Sequence, residues 1–120
     1  MSHPIAYTEL HSQDPKRAGK FYTSLFGWQA KDSDTPMGTY TEIEAGDGGI
    51  KAGLMKAPFD GSPSYWLPYI TVASVERSVA QAEKLGAKVE APKGLVPGVG
   101  WFAILRDPAG AVFGLWEKLA

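Results

Sequence analysis

Pro36-Met37-Gly38-Thr39-Tyr40-Thr41-Glu42-Ile43, a Gly/Asp turn, and then Gly49-Ile50-Lys51-Ala52-Gly53-Leu54-Met55 form the stretch whose reading decides the fold. Adding 61 to each number finds it again. Pro36 becomes Pro97, Tyr40 becomes Trp101 and Ile43 becomes Ile104; Gly49 becomes Gly110, Gly53 becomes Gly114, Leu54 becomes Leu115 and Met55 becomes Trp116. One offset shared across 20 residues indicates two copies of one unit. The question of function becomes what two such units enclose.

The chain of 120 residues is the size of one ordinary domain. Modules of about 60 residues are marginal alone, so they should share a core or pair with another chain. A hydrophobic fraction of 44% with 21% charged residues fits a soluble globular composition. The net charge of −1 leaves no basic stripe for nucleic acid. No apolar run approaches the length of a membrane span. Met1-Ser2-His3-Pro4 has no basic start followed by an apolar core, so no secretion signal is expected there. The absence of cysteine excludes disulfides, thiolate metal sites and cysteine nucleophiles. The expected location is the cytoplasm.

The order of elements follows from local signals. Ile5 to His11 reads as a strand, with Ala6, Thr8 and Leu10 on one face and Tyr7, Glu9 and His11 on the other. Asp14-Pro15 starts a helix, and Ala18, Phe21, Tyr22, Leu25 and Phe26 make its apolar stripe before Gly27 ends it. Short strands at Trp28 to Lys31, Thr39 to Ala45 and Ile50 to Lys56 complete a β-α-β-β-β module spanning 4–57. Residues 58–64, with Pro58, Gly61 and Pro63, link it to a second module at 65–118 within one domain. There Trp66 to Ala73 is a strand, and Ser74 caps a helix whose stripe is Val75, Val79, Ala82 and Leu85. Gly86 ends that helix. Strands follow at Ala87 to Ala91, Trp101 to Arg106 and Ala111 to Glu117, with Pro92 to Gly100 as a loop. The predicted class is α+β. Two modules form a curved, cup-like mixed sheet with one helix each on the outer face.

The whole chain resembles the vicinal oxygen chelate superfamily, which includes glyoxalase I, bleomycin resistance proteins and extradiol dioxygenases. Asp14-Pro15 through Phe21-Tyr22 and Leu25-Phe26-Gly27-Trp28 resemble its first helix and exit. Trp66-Leu67-Pro68-Tyr69 with Val72 resembles the strand opening its second module. Pro97-Gly98-Val99-Gly100 and Asp107-Pro108-Ala109-Gly110 resemble its last hairpin. Enzymes of that superfamily commonly hold one divalent metal with a histidine or glutamine, a second histidine and two glutamates. The resemblance places those ligands at Tyr7, Gly53, Leu67 and Gly114. Two glycines and a leucine offer no side-chain donor, and a phenol is a poor ligand for the usual metals at neutral pH. No metal and no other cofactor is therefore expected.

Parity turns Tyr7, Glu9, Leu67, Tyr69 and Trp116 toward the cup, with Met55 and Trp101 added to its aromatic and soft walls. Gly53 and Gly114 are read as cavity floor, left open where a metal-binding carboxylate would stand. His3 lies in a tail and reads as solvated. His11 reads either as a strand-end side chain bonding the loop before Asp14 or as a proton carrier at the rim. Glu9, a carboxylate in an apolar cup, needs a partner: Arg106, Lys51, a tyrosine hydroxyl or the ligand. The leading function is a metal-free binding cup for an apolar or aromatic, possibly cationic, small molecule. The alternatives are a lyase, isomerase or dioxygenase with an altered site using Glu9 and His11, and an accessory dimeric scaffold. The resemblance and the small size imply a homodimer.

Overall fold

The computed structural model describes residues 2–36, 38–57 and 61–119. The elements run β1 (Ile5–Ser12), α1 (Pro15–Phe26), β2 (Gln29–Thr35), β3 (Gly38–Glu44), β4 (Lys51–Lys56), β5 (Tyr65–Thr71), α2 (Val75–Lys84), β6 (Lys88–Val96), β7 (Gly100–Arg106) and β8 (Val112–Lys118). This is the expected α+β class, with β-α-β-β-β occurring twice. No helix among the described residues is long and apolar enough to cross a membrane. The chain divides into two compact units, Tyr7–Leu67 and Met1–Ala6 with Pro68–Ala120.

In the first module the strand order is β2-β3-β4-β1. β1 runs parallel to β4, and the other neighbours are antiparallel. α1 starts where Asp14 accepts from the Arg17 amide at 3.2 Å, and it stops at Gly27. Gly27 sits at φ 70°, a conformation that glycine adopts without a Cβ clash. Leu10, Ile43 and Leu54 are buried on one face of the strands, and Leu54 lies under Gly19 of α1. β2 extends through Thr35, four residues past the expected end, and it is exposed along its whole length. Edge pairing with β3, not burial, holds it. Part of the expected linker, residues 58–60, lies outside the described residues.

In the second module the order is β5-β8-β7-β6. Its core is Val75, Ala103, Leu105 and Leu115, with Val72, Val79, Ala82, Val89, Trp101 and Phe113 against it. Leu85, expected in the α2 stripe, is 72% exposed, because the helix ends at Lys84 and Leu85 already caps it. The expected loop from Pro92 is instead the second half of β6. Its pairing with β7 shifts register between Val89 and Ala91 and again between Ala91 and Gly94. Such irregularities accommodate Pro92 because β6 is an edge strand, where a missing amide costs no ladder bond.

The repeat holds with a correction. Glu42 lies opposite Gly53, whereas Ile104 lies opposite Gly114. β4 and β8 correspond at the offset of 61 read from the sequence, but β3 and β7 correspond at 62. The cause is the hairpin connection: residues 45–50 join β3 to β4, and the shorter run 107–111 joins β7 to β8. The counterpart of Tyr40 is thus Phe102 rather than Trp101, and a one-residue slip moves a side chain to the other face.

Candidate functional site

One face of β3, β4 and β1 brings together Tyr7, Glu9, His11, Tyr40 and Glu42. Register sets Tyr40, Met55 and His11 in one row and Glu42, Gly53 and Glu9 in the next, with Lys51 and Tyr7 beyond. Strand alternation points these to one side and Leu10, Leu54 and Ile43 to the other, toward α1. Parity in β1 is as read from the sequence.

Glu9 and His11 are almost fully buried, at 6% and 1% exposure. An ionised carboxylate at that depth must be partnered. His11 Nε2 lies 2.8 Å from Glu9 Oε1, and the Tyr40 hydroxyl donates to Oε2 at 3.0 Å. The carboxylate can only accept, so Nε2 carries the proton. The other ring nitrogen, Nδ1, lies 3.3 Å from the Tyr65 hydroxyl. The two rings are tilted at 54° with centroids 5.3 Å apart. The result is a chain Tyr40–Glu9–His11–Tyr65. Burial first, and the Glu9 charge second, push the phenols of Tyr7 and Tyr40 well above the ordinary value of 10.0. Both therefore stay protonated donors at neutral pH.

Of the partners weighed for Glu9, a tyrosine hydroxyl is found, and His11 joins it. Arg106 bonds Glu90 at 2.6 Å and the Gly110 carbonyl at 2.8 Å instead. His11 bonds no backbone of the loop before Asp14; there Ser12 Oγ accepts from the Asp14 amide. His3, expected in a solvated tail, lies with Nδ1 3.1 Å from the Thr71 carbonyl.

The glycines do not stand bare. A Cβ on Gly53 would strike the Tyr40 hydroxyl, and one on Gly114 would meet the Tyr69 ring at 2.5 Å. In each module a tyrosine ring takes the room the missing side chain leaves. Tyr69 does so from directly across the strand pair and is 3% exposed. Tyr40 does so diagonally from β3. Trp116 leans over Gly100 and Phe102 over Gly94 in the same manner. Trp101, expected in the ligand wall, alternates with Ala103 and Leu105 and packs with the α2 core, beneath Lys93 Nζ at 4.4 Å. Leu67 is fully buried, and its carbonyl accepts from Thr8 Oγ1. Met55 is half-buried beside His11 and Tyr40.

Sequence reasoning missed Tyr40 and Tyr65. Tyr40 was hidden by the offset of 61, which matched it to Trp101. Its period of two with Glu42, across from Gly53, was the available signal. Tyr65 stood at the edge of the linker, where alternation has too few residues to be read.

The four positions that the resemblance assigns to metal ligands supply one donor, the Tyr7 phenol, which burial keeps protonated. Among the described residues no three His, Asp or Glu side chains converge. That donor set does not fit a four-ligand divalent site.

The profile of a family described as a glyoxalase-like domain matches residues 8–116. A Mycobacterium bovis protein named "Putative glyoxylase CFP32" is 33% identical over 110 residues, covering 91% of this chain and 42% of its own length. The anthracycline biosynthesis protein DnrV of Streptomyces peucetius is 31% identical over 128 residues, 94% of this chain and 46% of that protein. The chain thus spans less than half the length of these curated relatives. Among solved structures, a hypothetical protein from Bacillus halodurans superposes with a TM-score of 0.72 at 16% identity, covering 100% and 97% of the two chains. A methylmalonyl-CoA epimerase in complex with methylmalonyl-CoA and NH4+ superposes at 0.68 with 14% identity, over 100% and 97%. At such identities the structural likeness speaks for the fold alone.

Proposed function

The chain belongs to the glyoxalase-like domain family of the vicinal oxygen chelate superfamily, and from that premise we propose that it binds an apolar or aromatic small molecule without a divalent metal. The observation that carries this reading is the Tyr40 phenol, which fills the room above Gly53 and ties Glu9 into the protein's own hydrogen bonds. Glu9 is then an internal anchor. It fixes the rings of Tyr40 and His11, and through His11 that of Tyr65, as preorganised aromatic walls, with Met55 as the adaptable one. An acidic side chain beside aromatic walls favours a ligand that is both aromatic and cationic. A relative named for anthracycline biosynthesis and a neighbour bound to methylmalonyl-CoA suggest flat aromatics and acyl thioesters as the first classes to try. The chain is read as a cytoplasmic homodimer.

A thermal-shift series tests this, since a ligand that prefers the folded state raises the melting point. Flat aromatic cations should raise it equally with and without a chelator, and Glu9→Gln should lessen the rise. Stabilisation that appears only with an added divalent ion would overturn the reading.

A second reading rests on one geometry. A carboxylate on Nε2 and a phenol at Nδ1 make His11 an oriented base with a proton path to Tyr65. In that case the protein is a lyase or isomerase, and His11→Gln should abolish turnover while leaving ligand-induced stabilisation in place.

A further inference from the structure

The two helices answer their own dipoles in opposite ways. α2 has Glu76 in its first turn and Lys84 in its last, the stabilising arrangement. α1 opens with Lys16 and Arg17, continues with Lys20, and has no acidic residue in its first turn and no basic residue in its last. Cations therefore crowd its positive end, opposed by the Asp14 cap. α1 also buries none of its residues. Phe21 and Leu25, each 58% exposed, share one surface with Arg17, Lys20 and Ser24. The spacing of Arg17, Phe21 and Leu25 makes them one ridge along the helix. The apolar stripe expected to face the core thus has three of its five residues, Phe21, Leu25 and Phe26, turned to solvent. Scattered exposed hydrophobics need no explanation, but a contiguous ridge does.

We propose that a second copy of this chain docks on that ridge, its α1 antiparallel to the first across a two-fold axis near Phe21. One arrangement answers both anomalies. Phe21 packs on its counterpart, and Leu25 packs on the stem of the other copy's Arg17. The guanidinium and the Lys20 ammonium then lie beside the free carbonyls that end the other helix, where a cation is favoured. The charge pattern that is unfavourable within one helix becomes complementary between two. This inference rests on the homodimer reading above and assigns its surface.

Light scattering on the full chain over a concentration series tests it. The unaltered protein should dimerise. Phe21→Ser with Leu25→Ser should weaken the dimer about tenfold or more while far-UV circular dichroism is unchanged. Leu95→Ser, a change at another exposed apolar side chain, should have no effect. Arg17→Glu with Lys20→Glu provides the decisive signature. It relieves the dipole conflict, so the melting point of the dilute monomer rises, yet it weakens the dimer. A dimer indifferent to both α1 variants would leave the homodimer standing and reject this surface. An unaltered chain that stays monomeric at every concentration would reject both.

Discussion

The two modules share a backbone plan and differ in what they place beside the same glycine. In the second, Tyr69 stands directly opposite Gly114 and covers it, buried at 3% exposure. In the first, Glu9 occupies the position of Tyr69, opposite Gly53, and the covering ring comes from Tyr40 on β3. One exchange of tyrosine for glutamate therefore moves the ring to the other neighbouring strand. It also brings a carboxylate under cover, which then requires His11 and Tyr40 as partners. The second module buries its ring as packing, and the first as chemistry.

The comparison can be broken at its acid. Glu9→Leu gives the first module the apolar plan of the second but strands His11, at 1% exposure, without its acceptor. Leaving the buried His11 Nε2 donor and the Tyr40 hydroxyl without their acceptor should cost about 2–3 kcal/mol, read by denaturant unfolding. If stability is unchanged, the network is not what holds that face. The glycines sharpen the contrast at a smaller scale. Gly114→Ala drives a Cβ into a ring that is sealed in, and should cost about 2–3 kcal/mol. Gly53→Ala meets the hydroxyl and Cζ of Tyr40, but that side chain is half-buried and can swing aside for about 1.5 kcal/mol, the value of the lost bond to Glu9. Equal penalties would mean that the modules are not packed differently.

The smallest effect is alkaline. The Tyr7 and Tyr40 phenols are harder to ionise folded than unfolded. Below the ordinary value of 10.0 their contribution to stability is intact. As pH rises past it the unfolded chain sheds these protons first, and the contribution is lost progressively toward the folded values. Tyr40→Phe should flatten that decline, and the absorbance of phenolate should follow unfolding rather than precede it.

Much of this was legible in the chain. Asp14-Pro15 and Gly27 bound α1 because a cap and a left-handed terminus are local requirements. The parity of β1 followed from alternation, which placed Glu9 and His11 together. The paired glycines were visible because the returning strands of both hairpins keep one spacing. The ring above each glycine was not. Tyr40 reaches Gly53 diagonally, so it depends on the register of β3, and the longer first turn changed that register by one residue. β6 hid behind Pro92 because an edge strand tolerates what an interior strand refuses. The exposure of Phe21 and Leu25 was equally out of reach, since periodicity finds an apolar face but not what covers it.

Titration calorimetry of untagged protein with nickel, zinc, manganese and iron(II) tests the central claim most directly. With Glu9 already satisfied by His11 and Tyr40, no ion should bind stoichiometrically, and Glu9→Gln should leave the traces alike. One ion held per chain, and released by that substitution, would contradict the account.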